Sequence, residues 1–344
     1  MSGNVSILDC TLRDGGQGLE SLNTSGIKTE VFHDKEKIRI AELVRDSGIE
    51  VIEIGYISNS IKDDEKYAGY QTIEALSAFK PEKKNGNQIY TGIYIDPDTP
   101  VDNIPSYSPE LVDGVREILR YSQLQESLNH CAALSRKGYK VFVQPMLTMR
   151  YTDDELKRLV YAANEMNAYA LYFVDSFGYM DEKDVERLYR FYIEELDPCI
   201  KVGFHAHNNM ENALTNARYF VEKLQERDRL VDSCVVGMGQ GAGNLQTEVL
   251  VAYMNKKYGT TYNINCIFEI CDILEKFRPH DLETWGYSPV RLIPAIHNTA
   301  YKYATAMRIQ YKMSLVEINH VMERMPDELR HRYTPENLQV LLGK

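Results

Sequence analysis

Two short runs carry residues that could do chemistry together. Ile7-Leu8-Asp9-Cys10-Thr11-Leu12-Arg13-Asp14-Gly15-Gly16-Gln17 ends an apolar stretch in an adjacent cation and carboxylate, followed by paired glycines. Far downstream, Phe204-His205-Ala206-His207-Asn208-Asn209 ends another apolar stretch in a His-x-His pair. Side chains two apart on an extended backbone point to the same side, so both imidazoles can face one ion. With the Asp14 carboxylate they form a mixed nitrogen and oxygen set that leaves positions open for water and substrate. Such a set suits Mn2+, Co2+, Fe2+ or Zn2+ better than Ca2+. A metal there would polarise a ketone as a Lewis acid. Arg13 would supply the positive charge that the carboxylate and developing enolate of a 2-oxo acid require. The bland alternatives are unrelated histidines and a surface ion pair between Arg13 and Asp14.

A third run, Gly237-Met238-Gly239-Gln240-Gly241-Ala242-Gly243-Asn244, alternates four glycines with other residues. It lacks the spacing of a dinucleotide-binding fingerprint and the lysine of a phosphate loop. A tight turn accounts for the glycines. A chemical role would add Asn244 as a fourth ligand, or as a group positioning metal-bound water.

These residues need a scaffold that gathers distant strand ends. Eight runs read as strands: Val5–Cys10, Glu50–Gly55, Gln88–Ile95, Gly114–Leu119, Lys140–Val143, Ala168–Val174, Lys201–His205 and Asp232–Val236. Helical periodicity separates them. Thr152 to Glu155 forms a capping box ahead of Leu156–Met166. Asp34 is expected to cap Lys35–Arg45, with Gly48 as its stop, and Asp181 precedes Val185–Leu196. Alternating strands and helices imply a parallel sheet, and eight units in about 250 residues match a (β/α)8 TIM barrel. In such barrels the reactive groups stand at the C-terminal strand ends. Arg13, Asp14, Glu53, Tyr56, Asp175, Ser176, His205, His207 and the glycine loop all fall there. The barrel is assigned to residues 1–259 and a helical C-terminal region to 260–344, with helices at Ile264–Phe277, Val290–Met307 and Ser314–Met325.

The 344-residue chain is 44% hydrophobic and 26% charged, as expected of a globular protein. A net charge of −11 argues against nucleic-acid or anionic-membrane partners. No apolar run approaches the roughly 18–20 residues of a membrane span, and no signal peptide is apparent. The six cysteines are scattered without C-x-x-C spacing, which favours small buried hydrophobes in a reducing cytoplasm over disulfides.

Cys-Thr-Leu-Arg-Asp-Gly, His-Ala-His-Asn-Asn and Gly-Met-Gly-x-Gly-Ala-Gly-Asn, in this order across residues 10–244, together resemble the DRE-TIM metallolyase superfamily related to HMG-CoA lyase. The resemblance implies Asp14, His205 and His207 as metal ligands, Asn244 as a further one, and Arg13 as the enolate-stabilising arginine. Mn2+ is the expected ion, with Co2+, Zn2+ or Mg2+ as alternatives. The glycine loop, Asp175-Ser176-Phe177-Gly178 and the helical tail are most similar to the 4-hydroxy-2-oxovalerate aldolase branch. The loop lacks the cysteine of the HMG-CoA lyases and the Gly-Glu-Arg of the synthases. One departure is Gln17, which stands where the aldolases carry a catalytic histidine. Gln17 cannot act as a base but can bond a substrate carboxylate. Proton transfer would then fall to metal-bound water or another residue, with Tyr287, Arg291, His297 and Tyr94 as candidates; with Arg13 and Gln17, Tyr287 completes the expected catalytic set.

The expected function is a divalent-metal aldolase or lyase working through a pyruvate-type enolate, with a small 2-oxo acid and an aldehyde as substrates. A Claisen-type acyl transferase using an acyl-CoA is the first rival, and a non-catalytic metal-binding partner subunit the second. The aldolase branch also implies a homodimer and an aldehyde dehydrogenase partner docked on the C-terminal helices.

Overall fold

Parallel strands cannot be joined by a tight turn, and each apolar run in this chain is followed by a crossover long enough to return to the same edge. The computed structural model describes residues 3–61, 65–84, 86–277 and 285–343. Eight parallel strands form the barrel: β1 (Val5–Asp9), β2 (Val51–Ile57), β3 (Ile89–Tyr94), β4 (Gly114–Leu119), β5 (Lys140–Pro145), β6 (Ala170–Asp175), β7 (Lys201–Ala206) and β8 (Arg229–Ser233). Each pairs with its sequence neighbour, and β1 pairs with both β2 (Leu8 opposite Val51) and β8 (Val5 opposite Arg229), which closes the ring. A two-residue strand, Gly69–Tyr70, adds to the outer part of β2. The expected TIM barrel is the observed fold.

The eight strands expected from sequence are all present, but β8 begins three residues early, at Arg229. Val235–Gly237 turn into a short 3-10 segment, and Cys234 already pairs with Gln246 beyond the glycine loop. Thr152 caps Asp153–Glu165 through the Glu155 amide, and Glu155 accepts from the Thr152 amide at 2.8 Å. Asp181 caps Glu182–Glu195, and Gly48 closes Asp34–Ser47 at φ +92°. The cap of that last helix is His33 rather than Asp34. Asp34 lies inside the first turn, where its carboxylate meets Lys37 Nζ at 2.9 Å.

The helix Ile264–Leu274 buries Ile267, Ile270 and Leu274 in the same apolar core as the barrel strands. At about 1.5–3 kcal/mol per fully buried aliphatic side chain, this anchors it to the barrel wall. Phe277 also belongs to that core. From Val290 onward a separate small core forms around Tyr303, Met307, Ile318 and Met322. The single helix expected over Val290–Met307 is two, Pro289–Ile296 and Lys302–Gln310, because Asn298 turns left-handed at φ +48°. The third tail helix is Leu315–Glu323, capped by Ser314. No helix among the described residues is long and apolar enough to cross a membrane. The six cysteines are free thiols, and only Cys10, Cys131 and Cys234 are fully buried.

Candidate active site at the barrel mouth

The C-terminal end of β1 does not continue as a strand. Thr11–Gly15 winds into one wide helical turn, closed by the Asp14 amide donating to the Cys10 carbonyl at 2.8 Å. Asp9 holds the turn by accepting from the Thr11 amide and hydroxyl. The helical turn explains why Arg13 and Asp14, adjacent in sequence, point to one side: Arg13 Nη1 lies 3.2 Å from Asp14 Oδ1. The ion pair weighed as a surface feature exists, but both partners are buried at 3% and 2% exposure.

His205 at the end of β7 and His207 just beyond it both line the mouth, their rings 5.1 Å apart. His205 Nδ1 donates to the Asp232 Oδ2 carboxylate oxygen at 2.9 Å, which turns Nε2 toward Asp14 at 3.6 Å. The glycine loop returns beside β7, so Asn244 pairs across from His207. Gly243 makes this return possible: it sits at φ +84°, and a Cβ there would lie 1.8 Å from the Gly237 carbonyl oxygen. Asn244 Nδ2 then donates to Asp14 Oδ2 at 2.6 Å and to the Met238 carbonyl at 3.0 Å, while its buried Oδ1 has no partner among the described residues.

Three clusters bring possible ligand atoms within 4.8 Å of one another: Asp14 with His205 and His207, Cys10 with Asp14 and Cys234, and Cys10 with His205 and Asp232. Only in the first do all members line the cavity at the barrel mouth. Its carboxylate, two imidazoles and the nearby unpartnered amide oxygen of Asn244 fit a divalent ion. The two cysteines meet because the barrel closes between β1 and β8, with Cys10 Sγ and Cys234 Sγ 3.3 Å apart.

Behind the mouth the barrel interior is charged. Arg13 Nε donates to Glu53 Oε2 at 2.7 Å, and Glu53 also accepts from Arg116 Nη1 at 3.0 Å. Arg116 Nη2 donates to Asp232 Oδ2 at 2.6 Å, and Asp232 holds His205. Arg13, Glu53, Arg116, Asp232, His205 and Asp14 thus form a closed ring of alternating partners. Arg116 also stacks over Tyr172, 4.7 Å from the ring centre, and interacts with Gln144. The ring sets the local electrostatics. Burial works against the Asp14 carboxylate, yet Arg13 and the two histidines hold it at about 2. Burial likewise opposes charge on His205, but Asp232 raises it to about 9, whereas burial lowers His207 to about 4.

The cavity has a volume of 390 Å³ and is walled by the barrel on one side and by Tyr301, Lys302 and His331–Tyr333 of the C-terminal helices on the other. Gln17 faces it, its Oε1 accepting from Arg13 Nη1 at 3.4 Å. Arg13 Nη2 is buried without a partner among the described residues. Tyr287 is elsewhere: it is 54% exposed and does not line the cavity, because the chain turns back to the mouth only after Asn298. Tyr301 and Tyr333 are tyrosines that line the mouth, and the Tyr301 hydroxyl meets Ser21 at 3.3 Å. Of the other proton-handling candidates, Arg291 donates to the Gly286 carbonyl, His297 bonds Asn319, and Tyr94 packs against His130; none lines the cavity. Sequence reading missed Arg116 and Asp232. Their signal was a charge in the middle of each strand that needed a partner inside the barrel.

The model of HMGL-like domains matches residues 100–275. Over 254 residues the chain is 27% identical to the 4-hydroxy-2-oxovalerate aldolase of Burkholderia pseudomallei strain K96243, spanning 74% of this chain and 69% of that protein. The N-terminal domain of a candidate aldolase from Bacteroides vulgatus superposes with a TM-score of 0.69 at 23% identity, covering 91% of this chain and 99% of the other. An HMG-CoA lyase from Acenitobacter baumannii, solved with coenzyme A and 3-methylmalate, gives 0.60 at 16% identity over 80% and 90% of the two chains. Both structural likenesses speak to the fold. With a family match over half its length and a charged barrel mouth of this make-up, the chain is an enzyme that belongs to the HMGL-like family.

Proposed function

We propose that the chain is a divalent-metal aldolase or lyase that makes or breaks a carbon–carbon bond next to a 2-oxo acid, as the name of its Burkholderia relative suggests. The observation that carries this reading is the convergence of Asp14, His205 and His207 within 4.8 Å, with the Arg13 guanidinium 3.2 Å from Asp14. Asp14, His205 and His207 would hold the ion, with Asn244 as a further ligand through Oδ1. A bound divalent ion would polarise the substrate ketone as a Lewis acid.

Arg13 performs the electrostatic part of the reaction. Its Nε is fixed by Glu53 and its Nη1 by Asp14 and Gln17, which leaves Nη2 to bond the anionic oxygen of a substrate. The guanidinium is thereby oriented before the substrate arrives and costs no reorganisation when charge develops. Gln17 supplies an amide N–H for the 2-oxo acid carboxylate. Asp232 fixes the tautomer and orientation of His205, the usual second partner of a ligating imidazole.

The test is metal-dependent exchange of the C3 protons of pyruvate and 2-oxobutyrate into D2O, followed by NMR, for the wild type and Asp14→Asn. Exchange that requires both added metal and Asp14 establishes enolate chemistry. Absence of exchange with Mn2+, Co2+, Zn2+ and Mg2+ overturns this donor assignment. Thiol release from an acyl-CoA in the presence of a 2-oxo acid would instead assign the chain to acyl transfer.

A further inference from the structure

Beside the mouth cavity lies a second cleft of 830 Å³, and Arg120, Met146, Leu147, His331 and Arg332 line both spaces. The cleft is basic although the whole chain carries −11. Arg120, Arg150, Arg330 and Arg332 line it, and its one acidic residue, Asp327, is paired with Arg330 at 3.1 Å. The remaining three arginines have no carboxylate oxygen within 4.0 Å among the described residues.

They are not equivalent. Arg150 is fixed, donating through Nη2 to the Asn298 carbonyl at 3.1 Å and through Nη1 to His331 Nε2 at 2.6 Å. Arg120, just past the end of β4, spends only Nη2 among the described residues, on the Ile95 carbonyl at 3.1 Å. Arg332 comes from the C-terminal region and is exposed. Arg120 and Arg332 therefore both line the two spaces, one from the barrel and one from the C-terminal region, with N–H groups to spare among the described residues. A paired guanidinium fork is the side-chain arrangement that fits a phosphate.

We propose that Arg120 and Arg332 bind the phosphate of a phosphorylated aldehyde whose carbonyl reaches the mouth cavity. This rests on the aldolase reading above. In the bond-forming direction, the donor gives up one C3 proton and its C3 bonds to the aldehyde carbon. The carbonyl electron pair moves onto the aldehyde oxygen, which takes up one proton. No oxidant or reductant is needed, and the phosphate stays on the product. Binding energy from the remote phosphate would serve to orient the carbonyl.

The test compares kcat/KM for glyceraldehyde 3-phosphate and for glyceraldehyde, each with pyruvate, in the wild type, Arg120→Gln, Arg332→Gln and the double variant. We expect the phosphorylated aldehyde to be preferred by at least about tenfold, since a hydrogen bond between charged groups is worth that much. The preference should collapse toward one in the double variant, and Arg332→Gln, at an exposed position, should fold normally. Equal use of both aldehydes by the wild type, or a preference unchanged in the double variant, overturns the proposal. Calorimetric titration with unreactive glycerol 3-phosphate reads the subsite without turnover. Arginine-dependent binding there, even if pyruvate exchange fails, upholds the phosphate site while the aldolase reading falls. Arginine-dependent binding of coenzyme A with none of glycerol 3-phosphate overturns the aldehyde assignment in favour of a thioester.

Discussion

Arg13 cannot be exchanged for lysine without losing its orientation. Lysine keeps the charge, but it has no Nε to bond Glu53 and no second arm to face the substrate while the first pairs with Asp14. Arg13→Lys should spare metal affinity, measured by calorimetry, and lower turnover about 100-fold or more, in the range seen when one preorganised donor is removed. Near-wild-type turnover in Arg13→Lys would remove the enolate role. That Asp14 and the His-x-His pair line the mouth was legible in the sequence because they sit where apolar runs end. Arg116 and Asp232 were not, because a strand reading treats interior positions as apolar and gives no way to see a charge opposite a charge across the barrel. Which tail tyrosines line the mouth was not legible either: Tyr301 and Tyr333 do and Tyr287 does not, because that depends on how the tail folds back, including the left-handed turn at Asn298.

The barrel strands position these groups by what they leave out as much as by what they carry. On β7, two residues before His205, Gly203 lies against the Tyr172 ring, and a Cβ there would come within 2.4 Å of it. Tyr172 in turn supports Arg116. Gly203→Ala must push the ring aside, a change we expect to cost about 1–3 kcal/mol, as overpacking of a core usually does. Chemical denaturation would measure it, and an unaltered midpoint would show that the ring has room to move. The order of the barrel strands was readable, since period and capping chemistry are local: Thr152, Asp181, Ser314 and Gly48 all serve as their residue types suggest. Boundaries set by distant contacts were not. The end of β8 depends on Cys234 pairing with Gln246, and the cap at His33 on the reach of Glu36 back to its amide.

Several buried carboxyls give the whole molecule a pH signature. Burial raises Glu117 from 4.5 to about 7 against the opposing pull of His130, and it raises Asp9 and Asp175 to about 6 and 7. A raised carboxyl keeps its proton in the folded chain after the unfolded chain has released it. The resulting stability is fully present below the unfolded value and is lost as pH rises through the folded one. Metal-free protein should therefore lose stability between about pH 4.5 and 7, by at most about 1.4 kcal/mol per pH unit for each group. Glu117→Gln, whose amide oxygen can still accept from His130, should flatten that slope in denaturation curves taken across the range. A slope unchanged in the variant would place the titration elsewhere. At this scale the net charge read from sequence was correct and uninformative: an average of −11 hides a basic cleft assembled from β4 and the distant tail.

The closed ring of six side chains at the barrel centre constrains how this sequence can drift. Each member satisfies two others, so replacing one strands a buried charge on either side, a penalty of several kcal/mol where a partner is lost in a dry interior. A descendant sequence could lose Glu53 and Arg116 together far more easily than either alone. Substitutions around the ring should be strongly non-additive in double-mutant cycles. Relatives that have changed their chemistry should have rewritten the ring as a set, while the loops and tail above it varied one residue at a time.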